Sequence, residues 1–372
     1  MVGLSSTSSN RTIRVFTGGE ALKLMECDAF RSEWNSLYES CQWATTAQSP
    51  DVTTLRCDMY RSKTIPVLVE QRESGALVGL LALGKPKSGT RTLGAICEDG
   101  EYHTWIADSK HAESFMPNAL AVLWSNTNLP PINLTYIPPG TPLEWLNHGH
   151  WKTCSVLKPR QTRILRLLDP EKVQVFLRSK ARLRSKRNQL NRLGKLAFRK
   201  VEGIHDFERV WDRFVEMYQL RKQPILGSTL FDSDPIKRAY ILARQGSVGM
   251  QHTTVLELDG KPIAAHIGLE GRPGGVFSLA GITHDPAYDK YSPGSLLLVD
   301  LINLLCDEGY SVFDLTPGGA LYKDRWGDID EMVYELEIFP SRFRRLAAAS
   351  LDISARGIRK LKRFGRKVTA IR

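Results

Sequence analysis

The sequence predicts an α/β fold of the mixed-sheet kind (α+β), built as two lobes and ended by a basic helical tail. Three observations carry this. Short runs alternate apolar and polar residues, and the segments between them repeat apolar residues at helical spacing. A run of strands interrupted by a helix starts again near residue 160. The chain has 372 residues, long for one domain, so two are expected. The lobes are placed at 1–160 and 161–340, and the tail at 341–372.

Each element follows from local chemistry. TIRVF (12–16) reads as a first strand, and FRSEWNSLYESC (30–41) as a helix with Phe30, Trp34, Leu37 and Cys41 on one face. TIPVLVEQ and ALVGLLALGK pair around Glu73-Ser74-Gly75, and a further strand runs through TRTLGAI. A helix at FMPNALAVLWS leads to the strand PINLTYI, closed by a Pro-Gly turn. After WKTCSVLKPRQTRILRL, Asp169-Pro170-Glu171 opens a helix that carries Phe176, Leu183, Leu190 and Leu193 as one stripe. DFERVWDRFVEMYQLRK is a second, amphipathic helix. TTVLEL and KPIAAHIGLE form a hairpin at Asp259-Gly260, and GGVFSLAGI is the next strand. A helix from about Gly294 to Glu308 stops at Gly309. The strand YSVFDLT, a PGG break, a short helix at ALYKDRWG and the strand MVYELEIF complete the pattern.

Charge and cysteine usage narrow the class. The net charge of +11 is uneven: residues 341–372 hold eleven Lys or Arg and one acid, and residues 178–195 hold eight and none. Two basic segments on an acidic body point to local anionic contacts and away from a general coat on DNA. The six cysteines include no CxxC pair, so neither a zinc site nor a disulfide framework is read, and no metal is expected. The N-terminus lacks a sustained apolar region, and the run GALVGLLALG (75–84) is too short to span a bilayer. A cytoplasmic protein is expected, with any membrane contact peripheral. The tail sets Phe343, Leu346, Leu351, Ile358, Leu361 and Phe364 among its arginines, a composition suited to the inner membrane's anionic face.

The most informative stretch is THDPAYDKYSPGSLLL (283–298), where a strand gives way to an apolar helix. A helix start presents unpaired N–H groups at the positive end of the helix dipole, a setting that holds phosphates. Ser292 can cap, Pro293 fits the first turn and Gly294 permits close approach. The same residues also make an ordinary capped helix.

Together, DPAYDKYSPGSLLL, EGYSVFDLTPGGALYKDRWG and the basic helix SKARLRSKRNQLNRLGK resemble the GNAT superfamily of acyltransferases. More narrowly they resemble its CelD/BcsL-type branch, named for cellulose biosynthesis and related to the FemAB aminoacyltransferases. The resemblance covers roughly residues 160–340. It implies tandem GNAT-like lobes, the first degenerate, with acyl-CoA as co-substrate in the splayed sheet of the second. It places the pantetheine against Ala280, Gly281 and Ile282, and the pyrophosphate over Tyr291, Ser292, Pro293, Gly294, Ser295 and Leu296. The usual loop, Arg/Gln-x-x-Gly-x-Gly/Ala, is altered here: Tyr291 stands at the Arg/Gln place and Leu296 at the second small position.

Acyl transfer needs a held nucleophile, a base for its proton and an acid for the leaving thiolate. The family pattern makes Tyr322 the acid. Asp314, on a short strand with Val312 and Thr316 on its face, and His284, at the strand exit, are the candidate bases. The structural alternatives are aromatic packing for Tyr322 and capping for Asp314. Lys323, with Arg182 and Lys186 of the basic helix, is assigned to substrate contacts, and Glu101 and His103 to the interlobe cleft. His266 reads as a core histidine. The expected function is non-aminoacyl transfer from acyl-CoA to an amine or hydroxyl of a sugar or polysaccharide precursor, in cellulose or exopolysaccharide synthesis. The alternatives are FemAB-like transfer from charged tRNA, and a non-catalytic scaffold.

Overall fold

Two apolar strands joined by a two-residue turn organise the first part of the chain. The computed structural model describes residues 11–89, 92–96, 102–125, 129–227, 229–247, 250–272, 275–318 and 320–350. Strand β1 (Arg11–Thr17) is followed by helices α1 (Gly19–Met25), α2 (Asp28–Ser40) and α3 (Pro50–Tyr60). Strands β2 (Thr64–Glu73) and β3 (Ala76–Pro86) turn at Ser74 and Gly75, both at positive φ, the conformation that matches strand twist in a tight hairpin. With β4 (Ile106–Ala107) they form a four-stranded sheet in the order β1-β2-β3-β4. The strand expected through TRTLGAI is reduced to isolated bridges at Leu93 and Gly94; Thr90 and Arg91 lie outside the described residues.

The rest of the chain builds one larger sheet. After α4 (Phe115–Ser125) come β5 (Ile132–Ile137), α5 (Gly149–Cys154) and β6 (Ser155–Arg166). The single helix expected from Asp169 is two: α6 (Pro170–Arg178), capped by the Asp169 carboxylate on the Lys172 amide, and α7 (Arg182–Asn191). β7 (Leu196–Lys200), α8 (Gly203–Leu226), α9 (Leu230–Ser233) and α10 (Ile236–Gly246) precede β8 (His252–Leu258) and β9 (Lys261–Leu269), which turn at Asp259 and Gly260. β10 (Val276–His284), α11 (Pro293–Asp307), β11 (Val312–Asp314), α12 (Lys323–Trp326) and β12 (Ile329–Ile338) complete it, and residues 342–350 are helical.

The eight strands lie in the order β5-β12-β6-β11-β10-β9-β8-β7. All neighbours are antiparallel except β10 and β11, which run parallel. β5 and much of β6 precede or straddle residue 160, so strands from the first part of the chain complete the second sheet. One core joins Trp34, Leu80 and Phe115 to Trp211, Val255 and Ile267, packing both parts of the chain together. On the sheet's other face, α11 seals a second core of Phe277, Leu279, Leu301 and Phe313. Burying such large side chains is worth roughly 1.5–3 kcal/mol each, which holds the sheet between its two layers.

Gly268 of β9 stands opposite Leu279 of β10, and a Cβ there would fall 2.2 Å from the Phe277 ring. Gly268→Ala is expected to cost about 1–3 kcal/mol by overpacking. Denaturant unfolding should show a lower midpoint with an unchanged slope.

Candidate functional site

The site begins where β10 loses a neighbour. β11 pairs with it only through Val276–Ser278 and Val312–Asp314. Thr316 then turns away at φ 59°, its hydroxyl donating to the Leu279 carbonyl at 3.0 Å. Beyond that point the β11-facing edge of β10 has no strand partner among the described residues. On the other side the pairing with β9 slips between Leu279 and Gly281. Such a bulge re-aims side chains and backbone next to functional sites. Ala280 is exposed, and Gly281 and Ile282 are half-buried, so the three residues expected to meet a pantetheine lie along this free edge.

The chain next passes through a 3₁₀ turn, Pro286–Tyr291, into α11. Ser292 takes the left-handed conformation (φ 55°), Pro293 occupies the first turn, and the Ser292 side chain caps nothing. The Ser295 and Leu296 amides return to the Ser292 carbonyl at 3.0 and 3.1 Å. The Gly294 amide is the first-turn donor left without a backbone acceptor among the described residues. Gly294 is itself buried, and a Cβ there would lie 3.0 Å from His284 Nδ1. The turn therefore offers fewer free amides than an anion-holding loop of the usual sequence.

His284 is fixed by Asp289, 2.6 Å from its Nε2. Burial, together with the Arg221 cation nearby, lowers its pKa, so the ring is neutral near pH 7. Asp285 pairs with Arg213 and accepts the Ala287 amide, which gives it a structural place in the turn.

Asp314 stands on the opposite face from α11. Strand alternation puts Phe313 and Leu315 in the α11 core and turns Asp314 toward the first lobe. Its buried carboxylate accepts from the Tyr102 hydroxyl (2.5 Å), the Thr162 hydroxyl (2.9 Å) and the Thr316 amide (2.7 Å). Burial raises its pKa, against the pull of those three donors. A carboxyl raised by burial beside a cleft is a plausible proton acceptor. Over it lies a cavity of about 340 Å³ between the lobes, lined by Tyr38, Trp43, Tyr102, Thr162, Arg272, Ser278, Asp314 and Glu331 among others.

Tyr322 packs against the α11 core, and burial pushes its phenol up to about 12, so it keeps its proton at neutral pH. Lys323 is buried, which lowers its pKa to about 8. Its ammonium donates to the Thr316 carbonyl at 2.7 Å and the Pro317 carbonyl at 3.2 Å, holding the loop between β11 and α12. Lys186 reaches the Lys290 carbonyl and ties α7 to the 3₁₀ turn, whereas Arg182 is exposed on α7. Glu101 lies outside the described residues, and His103 is half-buried beside β5, its amide 3.2 Å from the Thr135 carbonyl. His266 is fully buried within the sheet. Tyr102, Thr162 and Glu331 come to Asp314 from three separated strands or loops, and no local motif marks them.

Residues 178–324 match the acetyltransferase (GNAT) domain family. Among curated proteins none matches the chain. The solved structures of FemX (10% identity, TM-score 0.56, 85% of this chain and 98% of that one) and of L-PGS from Bacillus licheniformis (13%, 0.53, 88% and 96%) are similar in fold. So is the C-terminal domain described as that of a lysylphosphatidylglycerol synthetase from Agrobacterium fabrum (14%, 0.53, 87% and 97%). The likeness runs through most of the chain, so the mixed α/β fold is shared with these structures.

Replacing Tyr102 by Phe removes one donor to the Asp314 carboxylate. The loss is felt where Asp314 is ionised, so the cost should be about 1.5–3 kcal/mol near pH 8 and should shrink as pH falls. In the wild type, the folded state holds the Asp314 proton more tightly than the unfolded chain does. Its contribution to stability therefore falls as pH rises from the unfolded pKa through the raised folded one. Denaturant unfolding of both proteins across this range measures the difference.

Proposed function

We propose that the protein transfers an acyl group from acyl-CoA to an amine or hydroxyl of a sugar-like precursor. The parting of β10 and β11, beside a bulge on the β9 side, with a buried carboxylate on one face and a protonated phenol packed from the other, carries the reading. The free edge of β10 offers backbone groups to a pantetheine arm, and Ala280 at the bulge is exposed. An acceptor entering from the interlobe face meets Asp314. Its nitrogen or oxygen bonds to the thioester carbon and its proton passes to the Asp314 carboxylate. The carbon–sulfur bond then breaks, and the thiolate takes the Tyr322 proton. Proton transfer by positioned groups of this kind contributes about 10²–10⁴-fold.

His284 is bound to Asp289 and packed on Gly294, which fits a role in shaping the donor turn. Lys186 supports that turn from α7, and Arg182 on the same helix is exposed and free to meet the donor's phosphates. The two lobes, 1–160 and 161–340, act as acceptor-side and donor-side halves. The CelD/BcsL-like motifs favour a precursor of cellulose or another exopolysaccharide. Phe343 and Leu346, both exposed beside Arg342 and Arg344, fit peripheral contact with an anionic inner membrane face. No helix among the described residues is long and apolar enough to cross a membrane.

A second reading, transfer from an aminoacyl-tRNA, is favoured by the single free amide at α11 and the basic α7 beside it. Isothermal titration separates the two. Acyl-CoA should bind the wild type and raise its Tm by several degrees at a hundredfold excess over Kd. Ser295→Glu, which sets an acid where the diphosphate would lie, should weaken binding at least tenfold without loss of stability, since an acid suits a helix start. Tyr322→Phe should lower kcat about 10²-fold with KM little changed. Saturable binding of charged tRNA, lost on reversing Arg182 and Arg184 and indifferent to CoA, would replace this reading with the second.

A further inference from the structure

The second half of α8 lies across the strand ends where β10 and β11 part, and it brings cations there. Arg213 donates to the Pro262 carbonyl at 3.2 Å, at the start of β9, and pairs with Asp285, just past β10. Beside it Phe214 covers Gly281, where a Cβ would lie 3.7 Å from the ring. Two turns farther along the same face comes Arg221. Its charge acts on His284 and Asp289 at the exit of β10 and on Tyr322 beyond β11. The guanidinium thus overhangs the mouth between the two strands. The next residue, Lys222, acts in the same way on Lys323.

Arg221 and Lys222 are both half-buried, and neither makes a hydrogen bond or an ion pair with any described residue. The charges around them are all engaged. Arg213 has Asp285 and Glu216, His284 has Asp289, and the Lys323 ammonium donates to the Thr316 and Pro317 carbonyls. Burial lowers the Arg221 pKa, the mark of a cation that has lost water without gaining an anion in contact. A charge desolvated without a partner costs free energy, which favours a ligand that supplies one. The two sides of this guanidinium differ. Toward the donor turn it faces Asp289, which already provides negative charge. Toward Tyr322 it faces a protonated phenol, with Lys222 and Lys323 adding positive charge. Asp314, the acid that Lys323 feels, is occupied by its three hydrogen-bond donors. A diphosphate at the start of α11 would approach the side that Asp289 serves. The unmet side looks toward the thioester.

We infer that Arg221, with Lys222 beside it, receives a substrate carboxylate at the thioester end of the opening, carried by the far end of the acyl group or by the acceptor. A guanidinium offers two parallel N–H donors to a carboxylate, and such charge-assisted pairs are short and strong. Leu220 and Leu321, next in sequence to Arg221 and Tyr322, are exposed and leave apolar surface for the carbon chain that bears the acid. The inference rests on the acyl-transfer reading for what occupies the opening, and carboxylate recognition is measured without turnover.

The test is titration calorimetry on the full chain with CoA, acetyl-CoA and succinyl-CoA, and ligand-observed NMR with glucose and glucuronate. In the acyl arm, succinyl-CoA should bind at least about tenfold more tightly than acetyl-CoA, the size of one charge-assisted hydrogen bond. In the acceptor arm, glucuronate should exceed glucose by at least about the same factor. A preference in one arm suffices, and it names the source of the carboxylate. Arg221→Met should remove most of that preference and leave CoA and acetyl-CoA binding within about twofold of wild type. Because Arg221 holds no other residue in place, this variant should keep or raise the wild-type Tm. Arg221→Lys, which keeps the charge without the fork, should retain part of the preference. No preference in either arm, a preference indifferent to Arg221→Met, equal weakening of CoA and succinyl-CoA, or a Tm lowered by several degrees would each overturn the inference. If no CoA species binds, the acyl-transfer reading falls, and the glucuronate arm alone decides the carboxylate site.

Discussion

The site depends on a strand that cannot keep its neighbour. β11 is three residues long, and the left-handed Thr316 and the proline after it take the chain away from the sheet. β10 runs six residues farther with one edge open. Unpaired backbone groups that are shielded from water are costly, so an open edge inside a packed sheet is a standing demand for hydrogen-bond partners. The Thr316 hydroxyl answers it once, at the Leu279 carbonyl. A ligand with amides of its own, as in a pantetheine arm, is the natural answer to the remainder. The bulge on the β9 side of β10 falls at the same level and leaves Ala280 exposed.

The cavity above that opening keeps its form because the lobes share one core and several polar ties. The Thr46 hydroxyl donates to the Glu270 carbonyl, Arg272 binds three carbonyls of the first lobe, and Tyr102 reaches Asp314. Each such bond is worth only about 1 kcal/mol net. Their effect is geometric: they fix a roof over a floor whose residues are already set by strand alternation. The Tyr102–Asp314 contact makes the first lobe part of the proposed site, so the lobe poorer in recognisable motifs is not a passive cover.

Much of the fold was legible in the sequence, and the site only in part. Hairpins at Ser74-Gly75 and Asp259-Gly260, the Asp169 cap and the stop at Gly309 are local chemistry, and local chemistry is written locally. The break between α6 and α7 was not visible, because Leu183 and Leu190 keep an apolar stripe through Ser179–Ala181 while the backbone turns. Asp314 could be set on its face by alternation in VFDLT. Its partners Tyr102 and Thr162 could not be found, since they lie 212 and 152 residues away along the chain. Glu331 is one acid in a strand of alternating acids, and only the register against Thr162 sets it in the cavity. Gly294 shows the reverse error. Its sequence context suggested room for phosphate, whereas its neighbour is the His284 ring.

That detail bears on how the donor's anionic end is held. A loop with several free amides grips a diphosphate through dipoles that cost no reorganisation. Here the first turn of α11 has one such amide among the described residues, and the Leu296 amide is spent on the Ser292 carbonyl. On the acyl-CoA reading the charge is then left to side chains, and α7 is the nearby element that carries them. Lys186 is committed to the Lys290 carbonyl and Arg187 to Asp300 (2.7 Å), which anchors α7 against the donor turn and α11. The anchoring leaves Arg182 and Arg184 exposed on the same short helix. Long, solvated cations hold phosphates through screened Coulomb attraction, with little demand on the shape of what carries them. On the proposed acyl-transfer reading, donor choice is therefore set less at the phosphate end than at the thioester end, beside the bulge, Asp314 and Tyr322.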